Sequence, residues 1–199
     1  MSPGKNNMTK TKTKTGFAAA RPILRESNRV LWITVTAVFM AINIMFATMG
    51  IPVPGGAIYL CDVIICTAAM LLDPLGAFAV GGIGSFLGDM FFYPAAMFVT
   101  LVVHGLQAVV ISLLVHSYRT GKPRFRRSLL ALLLGGVIMV VGYTLGKAFV
   151  YGNCTLWFAI VSAPYDVLQT TVGIVLSLLL CYRARLFEVF QRMTTRERV

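Results

Sequence analysis

Residues 29–49 read RVLWITVTAVFMAINIMFATM: after Arg29, twenty positions pass without a lysine, arginine, aspartate or glutamate. At about 1.5 Å of rise per residue, a helix of that length covers about 30 Å, the thickness of a bilayer's hydrocarbon core. Comparable apolar blocks follow one another as far as Tyr182, and the 199-residue chain is 57% apolar and only 13% charged. A soluble domain carries about a quarter of its residues as charges. The chain therefore reads as an integral membrane protein.

Its net charge of +11, from 18 Lys and Arg against 7 Asp and Glu, would in a soluble protein suggest nucleic acid. Position removes that reading. Basic residues precede the first apolar block (Lys5, Lys10, Lys12, Lys14, Arg21, Arg25, Arg29), follow the fourth (Arg119, Lys122, Arg124, Arg126, Arg127) and close the last (Arg183, Arg185, Arg192, Arg196, Arg198), which leaves only Lys147. Three basic clusters separated by even numbers of spans place both termini in the cytoplasm by the positive-inside rule. The stretch before Ala20 has Lys, Thr and Gly but no apolar run, so it reads as a disordered tail that can touch anionic lipid and not as a cleaved signal peptide.

Turn formers and charges set the boundaries of an all-α, six-helix membrane bundle. The spans are expected at 29–49, 57–72, 74–92, 94–118, 128–151 and 156–182, with an uncharged outer loop at 50–56 and an outer turn at 152–155. Asp73-Pro74 separates the second from the third, because proline opens a helix but cannot continue one. The division is thus a basic tail (1–28), a membrane domain (29–184) and a basic C-terminal tail (185–199).

A few ionisable residues remain inside apolar spans, each costing about 2.5–3.5 kcal/mol at a helix centre, and such residues are functional candidates by default. They are Asp62, Asp89, His104, Lys147 and Asp166, with Asn43, Gln107 and Gln169 as uncharged companions. All five ionisable groups fall in the outer half of their spans, His104 roughly 15 Å down. A conduit would distribute polar groups over the whole depth, so this arrangement reads as a blind cavity open to the outside. Lys147 can pair with Asp166, Asp89 or Asp62, or be completed by a ligand; taken singly, each group can also be a structural helix-end residue.

Small residues give a second signal. Gly81 with Ser85, Gly84 with Gly88, and Ala37 with Ala41 make small-xxx-small pairs, which let helices approach closely in lipid. Cys61, Cys66, Cys154 and Cys181 have no metal-ligand spacing and read as small packers, a Cys61–Cys154 disulfide being conceivable on the outer side. No phosphate-binding loop, HExxH or GxSxG is present, so the chain has no visible ATPase or hydrolase machinery, catalytic residue, cofactor or metal site.

Tyr59-Leu-Cys-Asp62, Leu71-Leu-Asp-Pro74-Leu-Gly76-Ala77, Gly81-Gly-Ile-Gly84-Ser85-Phe-Leu-Gly-Asp89, His104-Gly-Leu-Gln107, the segment from Gly142-Tyr143 through Lys147 to Tyr151, and Pro164-Tyr-Asp166-Val-Leu-Gln169 follow one another in order. Together they resemble the substrate-binding S components of energy-coupling factor (ECF) vitamin transporters, over the whole membrane part. The resemblance implies a six-helix protein of a prokaryotic plasma membrane that captures a water-soluble vitamin or precursor from outside. It would dock on a transmembrane coupling protein driven by two cytoplasmic ATPases. It also implies roles: Ala37 and Ala41 on the coupling protein, and His104, Gln107, Tyr143, Lys147, Asn153, Asp166 and Gln169 at the ligand, where Tyr59 is added as an aromatic face. The pattern is most similar to the hydroxymethylpyrimidine and pyridoxine-type subgroup, from which it departs by His104-Gly-Leu-Gln107 for Lys-Gly-Leu-Glu, Lys147 for Glu and Asp166 for Asn. A pyrimidine or pyridine ring would suit one cation, one anion and the aromatic faces of Tyr59, Tyr143 and Trp157. A self-sufficient carrier or channel, and an intramembrane enzyme using His104, Lys147 and Asp166, are the competing readings.

Overall fold

A computed structural model describes residues 25, 28–53, 56–116, 123–150 and 156–196. Asn153, Cys154, most of the two tails and part of the central basic cluster lie outside the described residues. Helix α1 (Arg29–Thr48) starts where the Asn28 side chain accepts a hydrogen bond from the Leu31 amide at 2.9 Å, satisfying one of the first-turn N–H groups.

The chain then departs from the expected loop and second span. Strands β1 (Gly50–Val53) and β2 (Gly56–Tyr59) form an antiparallel hairpin with Gly50 opposite Tyr59. Gly50 is needed there, since a Cβ would stand 2.7 Å from the Tyr59 ring. Helix α2 (Cys61–Leu71) consequently has 11 residues, about 16 Å, and is too short to span. Residues 57–60 look like membrane helix by hydropathy alone. They follow Pro54-Gly55-Gly56 in sequence and include Ile58 and Tyr59, and the chain forms a strand over Gly56–Tyr59 instead. With Ile65, Ala68, Ala69 and Met70 at 0% exposure, α2 is the core of the bundle, enclosed by α1 and later helices.

Asp73-Pro74 breaks the chain, and α3 runs over Pro74–Phe92. Its Gly-rich middle, Ala79–Gly84, is a wider π turn, which misaligns backbone partners. Buried Asn43 on α1 donates to the Val80 carbonyl at 2.8 Å and to Ser85 Oγ at 2.9 Å. Cβ atoms at Gly81, Gly84 and Gly88 would meet Ala108, Met40 and Ala47 at 2.8, 3.0 and 3.1 Å, so α3 is wedged between α1 and α4.

A turn at 94–96 delays α4 to Met97–His116, α5 spans Phe125–Phe149, and α6 spans Leu156–Leu178 before a second π turn at Leu179–Arg183. Five helices are thus long and apolar enough to cross a membrane among the described residues. Arg185 turns the chain with φ 58°, and α7 (Leu186–Arg196) occupies part of the expected C-terminal tail. Its Phe187 is buried, and its Phe190, like Trp32 and Phe39, packs against the buried cluster of Ala68, Leu72 and Val80.

Candidate functional site

A cavity of about 360 Å³ lies at the hairpin end, between β2, the tip of α3, and α4, α5 and α6. That is the small end of the range for ligand pockets. Tyr59, His104, Tyr143, Lys147, Asp166 and Gln169 line it, as do Asp89, Tyr93, Thr100, Met139, Ser162 and Tyr165. Each helix contributes side chains one turn apart: Thr100 and His104 on α4, Tyr143 and Lys147 on α5, Ser162 and Asp166 on α6.

Charge is balanced locally on one wall. Lys147 Nζ donates to Asp166 Oδ1 at 2.9 Å, to Asp166 Oδ2 at 2.7 Å and to Ser162 Oγ at 3.0 Å, so the three N–H groups of the ammonium are all engaged. Each side chain of the pair is 12% exposed. Ser162 Oγ in turn donates to the Ala159 carbonyl at 3.2 Å.

Behind the cavity lies an ordered network. Asp62 is 1% exposed and does not line the space, but it orients residues that do. A carboxylate only accepts, so Gln107 Nε2 donates to its Oδ1 at 3.1 Å and Gln169 Nε2 to its Oδ2 at 2.7 Å. Both amide oxygens then face outward from Asp62. Gln107 Oε1 accepts from His104 Nδ1 at 2.8 Å, which fixes the proton on Nδ1, and Gln169 Oε1 accepts from the Tyr59 amide at 2.8 Å. One buried anion thereby holds the His104 ring and the hairpin against α6. Gln107 is fully buried and stands behind the wall.

The remaining wall carries the Asp89 carboxyl group and aromatic rings. Thr100 Oγ1 donates to Asp89 Oδ2 at 2.5 Å, and with that proton spent it accepts from Tyr143 OH at 2.8 Å. The Tyr143 ring meets His104 edge-on at 5.3 Å, and Tyr59 meets Tyr93 edge-on at 6.1 Å. Burial, the hydrogen bond to Tyr93 and the nearby Asp89 push the Tyr59 phenol above its ordinary range, so it stays neutral.

Sequence reading did not select Thr100, Ser162, Tyr93, Tyr165 or Met139; for Thr100 and Ser162 the available signal is their position four residues before His104 and Asp166. Trp157, expected as an aromatic face, is 73% exposed and does not line the cavity. Cys61 is a free, buried thiol. Ala37 and Ala41 lie on the exposed face of α1. Among the described residues no group of three His, Cys, Asp or Glu could hold a metal ion.

Fold and site together define a multi-pass membrane protein with a polar cavity sunk into one end of an apolar bundle. Residues 27–185 match the family described as ECF-type riboflavin transporter, S component, and the chain belongs to this S-component family. It is therefore a substrate-binding transport subunit and not an enzyme. A Pyrococcus woesei protein described as "Uncharacterized protein in gap 3'region" is 33% identical over 139 residues, covering 68% of this chain and 88% of that protein.

Proposed function

We propose that the chain is the capture subunit of an ECF-type importer that takes up a small polar ring compound, of hydroxymethylpyrimidine or pyridoxine type, through the cavity bounded by Tyr59, His104, Tyr143, Lys147, Asp166 and Gln169. The observation that carries this is the concentration of buried polar groups around one space of about 360 Å³, in a bundle whose outward helix faces are apolar. Asn153, next to that end in sequence, and Gln107, behind the wall, complete the set. Both termini are assigned to the cytoplasm, which makes the hairpin end the outer one; the basic residues at 124–127 and 183–192 support this. Ala37 and Ala41 are assigned to a transmembrane coupling protein, with two ATPase subunits supplying the energy.

The riboflavin named in the family description favours a second reading, a larger tricyclic ligand. To test both, the chain is purified in detergent and denatured, and any released compound is identified by mass spectrometry, with Lys147→Ala in parallel. A stoichiometric pyrimidine or pyridine, lost in the variant, supports the first reading; riboflavin supports the second. Transport by liposomes holding this chain alone would count against both and revive the carrier.

A further inference from the structure

The charges around the cavity do not cancel. Counted as ionised, Asp62, Asp89 and Asp166 stand against the single ammonium of Lys147, an excess of two negative charges with His104 neutral and of one with its ring protonated. No arginine or second lysine lines the space among the described residues, and 54–55 and 151–155 contain neither. The negative charge is also unevenly placed. Asp166 is neutralised by Lys147, and Asp62 has both oxygens occupied by amides behind the wall. Asp89 faces the cavity with one oxygen on Thr100, and no hydrogen bond or ion pair engages its Oδ1 among the described residues.

The donor inventory points the same way. Lys147 has no N–H left for an anionic ligand, Ser162 donates to backbone, and the Tyr143 hydroxyl and Thr100 direct their protons along a chain ending on Asp89. Tyr59 and Tyr93, beside Asp89, add the electron-rich ring faces that attract cations. Among the described residues a phosphate ester or carboxylate would meet no arginine and no free lysine here, and with His104 neutral it would add to the excess.

Resting on the capture reading, we infer that the transported compound is a heteroaromatic base bearing a positive charge or protonated amine, and that Asp89 is the specificity-determining residue that receives it. The test is a binding series in detergent at pH 7, by calorimetry and ligand-dependent melting. Pyridoxamine and thiamine serve as cations, pyridoxine and riboflavin as neutral rings, and flavin mononucleotide as the anion. A cationic probe should bind the wild-type chain about ten- to a hundredfold more tightly than any neutral ring, with no measurable binding of the anion. Asp89→Asn should remove most of that preference while keeping the Thr100 hydrogen bond and the fold. Tighter binding of a neutral or anionic probe, or an unchanged preference in Asp89→Asn, overturns the inference and leaves capture standing. If no probe binds and no compound is released on denaturation, the capture reading falls as well. The wild-type series discriminates without the variant, so poor folding of Asp89→Asn would not rescue the idea.

Discussion

Lys147 and Asp166 sit 19 residues apart in sequence and form an ion pair at the edge of the cavity, partly withdrawn from water. Removing one member leaves the other desolvated without compensation, which costs about 3 kcal/mol for a buried pair. Lys147→Ala should therefore lower the melting temperature as well as ligand affinity. Lys147→Ala/Asp166→Ala should recover part of the stability, with a coupling energy of about 1–3 kcal/mol in a double-mutant cycle; simple additivity of the two losses would show that the pair is not coupled. Asp62→Ala presents a different case. It strips the acceptor from two buried amides, at about 1–3 kcal/mol for each one left unsatisfied. Ligand titrations should show weaker binding in this variant, although Asp62 does not touch the cavity, because His104 and β2 lose their anchor. An affinity equal to wild type would leave Asp62 with packing alone.

At the scale of elements, the contacts that bring α2 and α6 together depend on Gly173. A Cβ there would lie 2.7 Å from Asp62 Cβ and 3.3 Å from its carbonyl carbon, and neither atom can move without moving the helix. Gly173→Ala should destabilise by about 1–3 kcal/mol, seen as a lower melting temperature, and displace Gln169 from the hairpin. Helix α1 offers the opposite test. Ala37 and Ala41 are exposed, so enlarging both to leucine should leave melting and ligand binding unchanged. If they meet the coupling protein, co-purification with it and uptake should both fail. Loss of binding instead would place their effect inside the bundle.

Over the whole molecule, the sequence was legible wherever the physics is local. Apolar length reveals five of the six expected spans, since a helix must satisfy its own backbone in lipid. The Asp73-Pro74 break is equally readable, because proline acts on its own neighbourhood. Hydropathy overreaches at 57–72, where it cannot distinguish a helix facing lipid from a strand and short helix enclosed by protein. The buried-charge argument directs attention to Lys147, Asp166 and His104, while the functional share of Asp62 and Asp89 stays open in sequence. What separates those two is whether a cavity lies beside the carboxylate, a property of packing between helices distant in the chain. Thr100 and Ser162 escape notice because hydroxyls cost little in a membrane helix and stand out only once their partners are known.

The short helix α2 also constrains how the protein is made. Eleven residues cannot engage the insertion machinery as an independent span, and the anion near its start discourages entry into lipid. The hydrogen bond from Gln169 to Asp62 spans 107 residues of sequence, so it forms only after the final long helix has been synthesised. Until then Asp62 has, among the described residues, only the Gln107 amide as a donor, and one of its oxygens is unsatisfied. Chains that terminate before α6 should therefore expose that defect to membrane quality-control proteases, and pulse-chase of such truncations should find them degraded while the full-length chain persists.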